Sequence, residues 1–291
     1  MSGSRSPIFI AEASSNHGRE LARALAFVDA AAETGCDAVK FQLFKIDRMF
    51  APIVLARSEK HRARRNWELP LAHLAPLAER CKERGIQFCC TPFYVEAVAE
   101  LEPYVDFYKI ASYELLVTDL LEACAATGKP VVLSSGMATM EEIVTATETL
   151  KRAGATEISV LHCVSAYPMP VNEANLSAIE SIRAATGCPV GWSDHSRKPS
   201  VLERAVHRWN ASAVEFHLDL DGHGAEYAAG HCWLPEEIAP VIARIRESVD
   251  ADGTGFKTSQ PSETADREWR ADPSDGMRPL LHVRRAWESA A

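Results

Sequence analysis

Residues 189–196 read PVGWSDHS, an apolar run that ends in a hydroxyl, a carboxylate and an imidazole: Ser193, Asp194 and His195. These are the residue types of a hydrolase triad. Along a strand, however, successive side chains alternate faces, so Ser193 and His195 share one face and Asp194 takes the other. A nucleophile–base–carboxylate relay cannot be built from three consecutive strand residues, and the chain has no Gly-x-Ser-x-Gly elbow. The stretch reads instead as a buried strand carrying chemistry at its tip. Ser193 then serves as an anion donor, His195 as a ligand, and Asp194 anchors the strand end.

The same design recurs through the chain. Strand-like segments fall at 7–13, 37–44, 86–93, 106–112, 130–136, 157–165, 189–195 and 212–220. Most are apolar on both faces, as strands of a parallel sheet covered on both sides should be. Helical patterns lie between them at 20–35, 70–85, 139–154, 176–187, 200–210 and 234–249. Gly35, Gly85 and Gly154 mark helix ends; Thr139 with Glu142 reads as a capping box, and Ser200 as a cap. Eight strands and interleaved helices in about 250 residues match a (β/α)8 TIM barrel. A doubly wound sheet is the alternative, but no GxGxxG follows the first strand. The expected organisation is a barrel domain over 1–249 and an irregular extension over 250–291, partly ordered by Trp269 and Leu280–Leu281. The segment 45–69 is a long insertion after strand 2, read as a lid or active-site loop with a short helix.

The chain has 291 residues, 47% of them hydrophobic, and a formal charge of −9. The acidic balance argues against nucleic acid as a partner, though a cleft can locally oppose it and take a small anion. No apolar run reaches the roughly 20 residues of a membrane span, and the N-terminus lacks a signal-peptide layout, so a cytoplasmic protein with no membrane partner is expected. None of the eight cysteines forms a CxxC pair, which argues against a structural zinc site.

In such a barrel, chemistry belongs at the C-terminal ends of the strands. The polar residues there are Glu12, Asn16 and His17 on strand 1, Lys40 and Gln42 on strand 2, and Thr91 on strand 3. Strand 4 contributes Lys109, Ser112 and Glu114; strand 5, Ser134 and Ser135; strand 6, His162, Ser165 and Tyr167. Strand 7 ends as described, and strand 8 carries Glu215 and His217. Lys40 and Lys109 sit inside apolar runs, and a buried lysine needs an anionic partner. That partner is either a phosphate or carboxylate ligand or a core carboxylate such as Glu12 or Glu215. His195 and His217 end adjacent strands, so they can share a divalent metal or act as hydrogen-bonded structural residues.

The stretches IAEASSNHG (10–18), DAVKFQLF (37–44), TPF (91–93), FYKIAS (107–112), LSSGMAT (133–139), LHCVSAYPMP (161–170), VGWSDHS (190–196) and VEFHLDL (214–220) occur in barrel order. Together they resemble the sialic acid (N-acetylneuraminate) synthase family over roughly residues 7–247. The resemblance implies a homodimeric enzyme that condenses phosphoenolpyruvate with an aldose, with a divalent metal, to a 2-keto-3-deoxy sugar acid and phosphate. It implies Mn²⁺ or Mg²⁺ first, then Co²⁺, Fe²⁺ or Zn²⁺. By motif position it assigns Lys40, Thr91, Lys109, Ser112, Ser134, Ser165 and Ser193 to phosphoenolpyruvate, and His195 and His217 to the metal. Glu12, Glu114 and Tyr167 resemble catalytic groups, and Gln42 resembles a sugar contact.

The chain departs from the family in its acceptor half. It ends before the antifreeze-like domain that lends an Arg to a partner's sugar site. EFH stands at 215–217 where Glu-Lys-His is usual, and GAEYAAGHCWLP (224–235) replaces a stretch with Gly-Pro-Asp-His whose Asp holds the sugar. Glu226 and His231 in that run are the nearest substitutes for sugar binding. Arg48, Arg57, Lys60, Arg62, Arg64 and Arg65 crowd the insertion. If they face the site, the acceptor is anionic, a phosphorylated or acidic sugar in place of N-acetylmannosamine; otherwise they form a solvated face. A metal-dependent isomerase or hydrolase, and a catalytically weak binding relative, are the competing readings.

Overall fold

The computed structural model describes residues 6–289. Its strands are β1 (Ile8–Ser14), β2 (Ala38–Leu43), β3 (Gln87–Pro92), β4 (Phe107–Ile110), β5 (Val131–Ser134), β6 (Ile158–Cys163), β7 (Val190–Asp194) and β8 (Ala213–Leu218). Each pairs in parallel with the next, and β1 pairs with β8 to close the barrel. All eight expected strands are present. A ninth, β9 (Cys232–Trp233), was not legible: it is two residues long and adds in parallel to the end of β8, with His217 opposite Cys232.

The strand alternation sorts the barrel interior into levels. Ile10, Ala38, Cys89 and Phe107, with Val132, form a buried apolar plug. Two residues further along their strands come Glu12, Lys40, Thr91, Lys109 and Ser134, all buried. Glu12 lies level with Lys40 on one side and His217 on the other, and Ser193 lies level with Glu215. The opposite parity, including Phe9, Phe41, Phe88, Trp192 and Phe216, belongs to the larger core cluster with helix residues such as Phe27, Leu77 and Ile242. Each such side chain contributes roughly 1.5–3 kcal/mol by leaving water. Gly191 is required at its level, because a Cβ there would meet the Ala213 carbonyl and lie 2.7 Å from Leu161 Cδ2.

The expected helices are present at Leu21–Glu33, Leu74–Arg84, Met140–Arg152, Ala178–Thr186, Pro199–His207 and Pro235–Asp252. The capping box at Thr139 and Glu142 has both of its hydrogen bonds. Ser200 is not a cap: Pro199 opens that helix, its fixed φ and missing N–H suiting the first turn, and Lys198 takes the cap position. Two short helices, Glu96–Leu101 and Thr118–Ala126, complete the units after β3 and β4. The insertion folds as three short helices, Ile46–Met49, Pro52–Arg57 and Glu59–Ala63, and a 3-10 turn at Arg64–Trp67.

One compact unit ends at Ala251 and another begins at Asp252. The latter is more regular than its composition suggests. It contains helices at Thr264–Glu268 and Leu281–Glu288, with Trp269 and Trp287 packed edge to face at 5.7 Å. Asp272 ties it together by accepting from the amides of Ser274 and Leu281. Among the described residues, no helix is long and apolar enough to cross a membrane.

Candidate active site

A cavity of about 740 Å³ opens at the C-terminal ends of the strands. Lys40, Lys109 and Glu215 line its floor. Lys40 pairs with Glu12, and Glu215 Oε1 stands 3.8 Å from Lys40 Nζ and 3.4 Å from Lys109 Nζ. The lysines thus use the core carboxylates that the sequence offered as one alternative, but unevenly: two ammoniums share one carboxylate oxygen. Burial alone would lower the Lys40 ammonium; Glu12 and then Glu215 outweigh it and raise it. Burial likewise pushes the Glu215 carboxyl up, and Lys109 and Lys40 pull it below its usual range.

Hydroxyl groups flank the lysines. The Gly136 amide donates to Ser112 Oγ at 2.9 Å. A Cβ on Gly136 would strike Ser165 Oγ and lie 2.8 Å from Ser112 Oγ, so only glycine lets the two hydroxyls close around that amide. Ser134 Oγ and Ser165 Oγ are buried without a protein partner. Buried hydroxyls left unpaired are costly, and here they lie at the level of two ammoniums, the chemistry of an anion site. Ser193 Oγ donates to Glu215 Oε1 at 3.4 Å.

Imidazoles form another part of the wall. His195 Nδ1 lies 2.8 Å from the Val164 carbonyl, which can only accept, so Nδ1 carries the proton and Nε2 keeps its lone pair. His217 Nδ1 lies 2.9 Å from Glu226 Oε2, so Nδ1 carries a proton; burial would lower the His217 pKa, and the Glu226 carboxylate outweighs it and raises it. The two ring centroids are 5.3 Å apart. Two imidazoles on one cation, at metal–nitrogen bonds of about 2.1 Å, place their centroids roughly 5 Å apart. Burial, then His217, lower the His195 pKa to about 3, so it is neutral at ordinary pH, as a ligand must be. The donor set fits a divalent cation. Tyr167 covers it, with its ring 4.1 Å from that of His195 and 5.1 Å from that of His231.

Glu226, expected at the sugar, lines the cavity and is bonded to side chains of its wall. Oε1 accepts from Ser14 Oγ at 2.5 Å, and Oε2 is also 3.6 Å from His231 Nε2 and 3.8 Å from Cys232 Sγ. His231 is buried, and its Nδ1 lacks a partner. Atoms of His217, Glu226, His231 and Cys232 lie within 4.8 Å of one another.

The cavity mouth is aromatic more than basic. Phe44, Met49, Phe50, Trp67 and Phe93 line it, with Arg64 the one basic residue of the insertion that does so. The Arg64 guanidinium lies 5.5 Å from the Phe50 ring and 5.3 Å from that of Trp67. The other five basic residues are exposed; Arg48 pairs with Glu96, Arg65 with Asp47, and Arg62 donates to the carbonyls of Leu55 and Ala56. Of the two readings the sequence left open for the basic run, five of its six residues take the solvated face and Arg64 alone borders the cavity. The aromatic wall went unread because its residues come from two strand ends and an aperiodic insertion; the Phe closing both DAVKFQLF and TPF was its one visible sign.

Several expected residues stand behind the wall rather than on it. Glu12 is fully buried, held by Lys40 and by Gln42 Nε2 at 2.7 Å. Thr91 supports Lys40 at 3.4 Å. Gln42, Ser112 and Glu114 line the cavity itself. His162 is bonded to the Ala174 carbonyl, and Asn16 to that of Leu218. Asp194 accepts from Trp192 Nε1, Ser196 Oγ and the Arg197 amide, which fixes the turn after β7 and excludes it from any relay with Ser193 and His195.

A family model described as NeuB family matches residues 27–257. An uncharacterized protein of Methanocaldococcus jannaschii is 34% identical over 90% of this chain and 77% of its own. N,N'-diacetyllegionaminic acid synthase of Campylobacter jejuni is 34% identical over 88% of this chain and 80% of its own. Among solved structures, the N-acetylneuraminic acid synthetase of Leptospira borgpetersenii superposes with a TM-score of 0.81 at 32% identity, over 94% of each chain.

Proposed function

The chain belongs to the NeuB family and is an enzyme of the sialic acid synthase kind, and from that membership we propose that it condenses phosphoenolpyruvate with a neutral, N-acylated amino aldose. The observation that carries this reading is the pairing, in one cavity, of Lys40 and Lys109 beside the unpartnered Ser134 hydroxyl with the imidazoles of His195 and His217. An isomerase or hydrolase would use the imidazoles and a carboxylate but has no work for the lysines and hydroxyls.

In this reading Lys40, Lys109, Ser112 and Ser134 hold the phosphate and carboxylate. His195 and His217 hold a divalent metal, whose chemistry is to polarise the aldehyde oxygen. The enol carbon C3 bonds to the aldehyde carbon, water adds at C2, and the C2–O bond to phosphate breaks. The products are the 2-keto-3-deoxy acid and inorganic phosphate. Glu215, held ionised among cations, faces the carbon that becomes electron-poor. Glu114 lines the same cavity with a buried, unpartnered Oε2, and burial, against the pull of Lys109, raises its pKa to about 7. It is therefore protonated below about pH 7 and can deliver a proton to a developing oxyanion. The rate constant kcat should fall as pH rises through about 7. Glu114→Gln should remove that limb and lower kcat by about 10²–10⁴. A pH–rate profile with the same alkaline limb in the variant would assign the proton to another group.

The aromatic mouth supports the choice of acceptor. Phe44, Phe50, Trp67 and Phe93 favour methyl and acyl substituents, each buried CH₂ contributing about 0.8 kcal/mol. A sugar phosphate would meet one guanidinium there and a wall of rings. Phosphate release from phosphoenolpyruvate, measured with Mn²⁺ against paired aldoses, tests both parts. Neutral N-acyl aldoses should exceed their 6-phosphates in kcat/KM by roughly tenfold or more, the value of a single unmatched buried charge contact. A preference for the phosphates would overturn the acceptor assignment, and no release with any aldose would overturn the synthase reading.

A further inference from the structure

We propose that Glu226 is a positioning residue for the metal centre: it fixes the tautomer and orientation of His217 rather than holding the sugar. His195 Nδ1 is tied to the Val164 carbonyl, so only its Nε2 can reach a cation. The His195 ring is nearer to that of His217, at 5.3 Å, than to that of His231, at 6.5 Å; the His231 ring stands 4.9 Å from that of His217, but its Nε2 lies 3.6 Å from Glu226 Oε2, on the carboxylate side of His217. On His217, the Nδ1 edge is occupied by Glu226 Oε2 at 2.9 Å, which leaves Nε2 for the shared cation. A carboxylate behind a ligating imidazole is the arrangement that selects one tautomer and strengthens the ligand.

The carboxylate is itself held in place. Ser14 Oγ donates to Oε1 from the end of β1, so the two oxygens are engaged in different directions. Its helix, Ala225–Ala229, sits between β8 and β9, and β9 returns Cys232 to the position opposite His217. The strand that carries the ligand and the segment that carries its orienting group are thus bonded to each other. With Oε1 and Oε2 each accepting a hydrogen bond, both oxygens of Glu226 are anchored to this wall.

The proposal rests on a divalent metal shared by His195 and His217, and its test needs no turnover. In metal-stripped, ¹⁵N-histidine-labelled protein at alkaline pH, where the imidazoles are neutral, long-range ¹H–¹⁵N spectra should show His217 as the Nδ1–H tautomer. Glu226→Gln keeps the shape and removes the charge; it should reduce that preference and weaken Mn²⁺ binding, measured by calorimetry, by about 10–100-fold. The melting temperature reports whether the variant is folded, and Glu226→Asp provides a second, charged variant should the first be unstable. An unchanged tautomer, or a Mn²⁺ Kd unchanged in folded Glu226→Gln, would overturn the proposal. A raised KM for the acceptor with that unchanged Kd would return Glu226 to the sugar.

Discussion

Lys109→Met should abolish the stabilisation that phosphoenolpyruvate confers on the wild-type protein and reduce kcat/KM by about 10²–10⁴. The figure follows from geometry. Lys109 is buried in the floor, and its one ion-pair partner among the described residues, Glu215, is shared with Lys40. Its charge is the one least committed to the protein and therefore most available to an anion. Charge-assisted hydrogen bonds contribute about 1.5–3 kcal/mol each, and one ammonium can donate two or more of them. At a ligand concentration of 100 times Kd, the wild type gains about 2.7 kcal/mol of stability. Methionine preserves the volume and apolar stem, so the folded variant should melt at the same temperature with and without the ligand. The opposite finding, an undiminished ligand-induced shift, would place the phosphate elsewhere in the barrel.

His195→Ala and His217→Ala should each eliminate stoichiometric binding of Mn²⁺ while leaving a folded barrel. Both rings sit at strand tips, above the apolar plug, and neither belongs to the large core cluster. Removing one ring leaves one of the two ligands assigned to the shared position; the His231 ring, 4.9 Å from that of His217, has its Nε2 3.6 Å from Glu226 Oε2 and is taken to remain with that carboxylate. Elemental analysis after dialysis, with circular dichroism for the fold, decides the matter. Metal retained at one equivalent by both variants would mean that the shared centre does not exist. The ordering matters as well: loss in His217→Ala should exceed loss in Glu226→Gln, because a ligand weighs more than the group that aims it.

The barrel was legible because strands buried on both faces read as apolar runs, and because alternation then fixes which residues face inward. Given the strand ends, the parity that carries Glu12, Lys40, Lys109, Ser134, Ser193 and Glu215 to one level is already written in the chain. Partnership was not legible. Sequence spacing shows that Lys40 and Lys109 need anionic partners, but only closure of β1 against β8 and the level register of β7 and β8 show how Glu12 and Glu215 divide between them. The insertion left its two readings undecided for a different reason. Its basic residues dominate its composition, yet long cationic side chains reach solvent from almost any backbone position, whereas the shorter Met49 and Phe50 cannot. The short helices after β3 and β4 escaped notice because six to nine residues give too few turns for a period to emerge.

The bond between β8 and β9 has a consequence for how such a protein can change over generations. The loop that joins them, 219–231, contributes Glu226 and His231 to the cavity wall, so it is a natural place for variation toward new sugars. It is also the loop that supports His217. If Glu226 orients a metal ligand as proposed, a lineage altering this loop cannot explore acceptors freely, since each substitution near Glu226 would be screened first for whether the metal stays bound. Inheritance of a new sugar preference should therefore pass more readily through the insertion at 45–69, whose Met49, Phe50, Arg64 and Trp67 border the cavity without touching either imidazole.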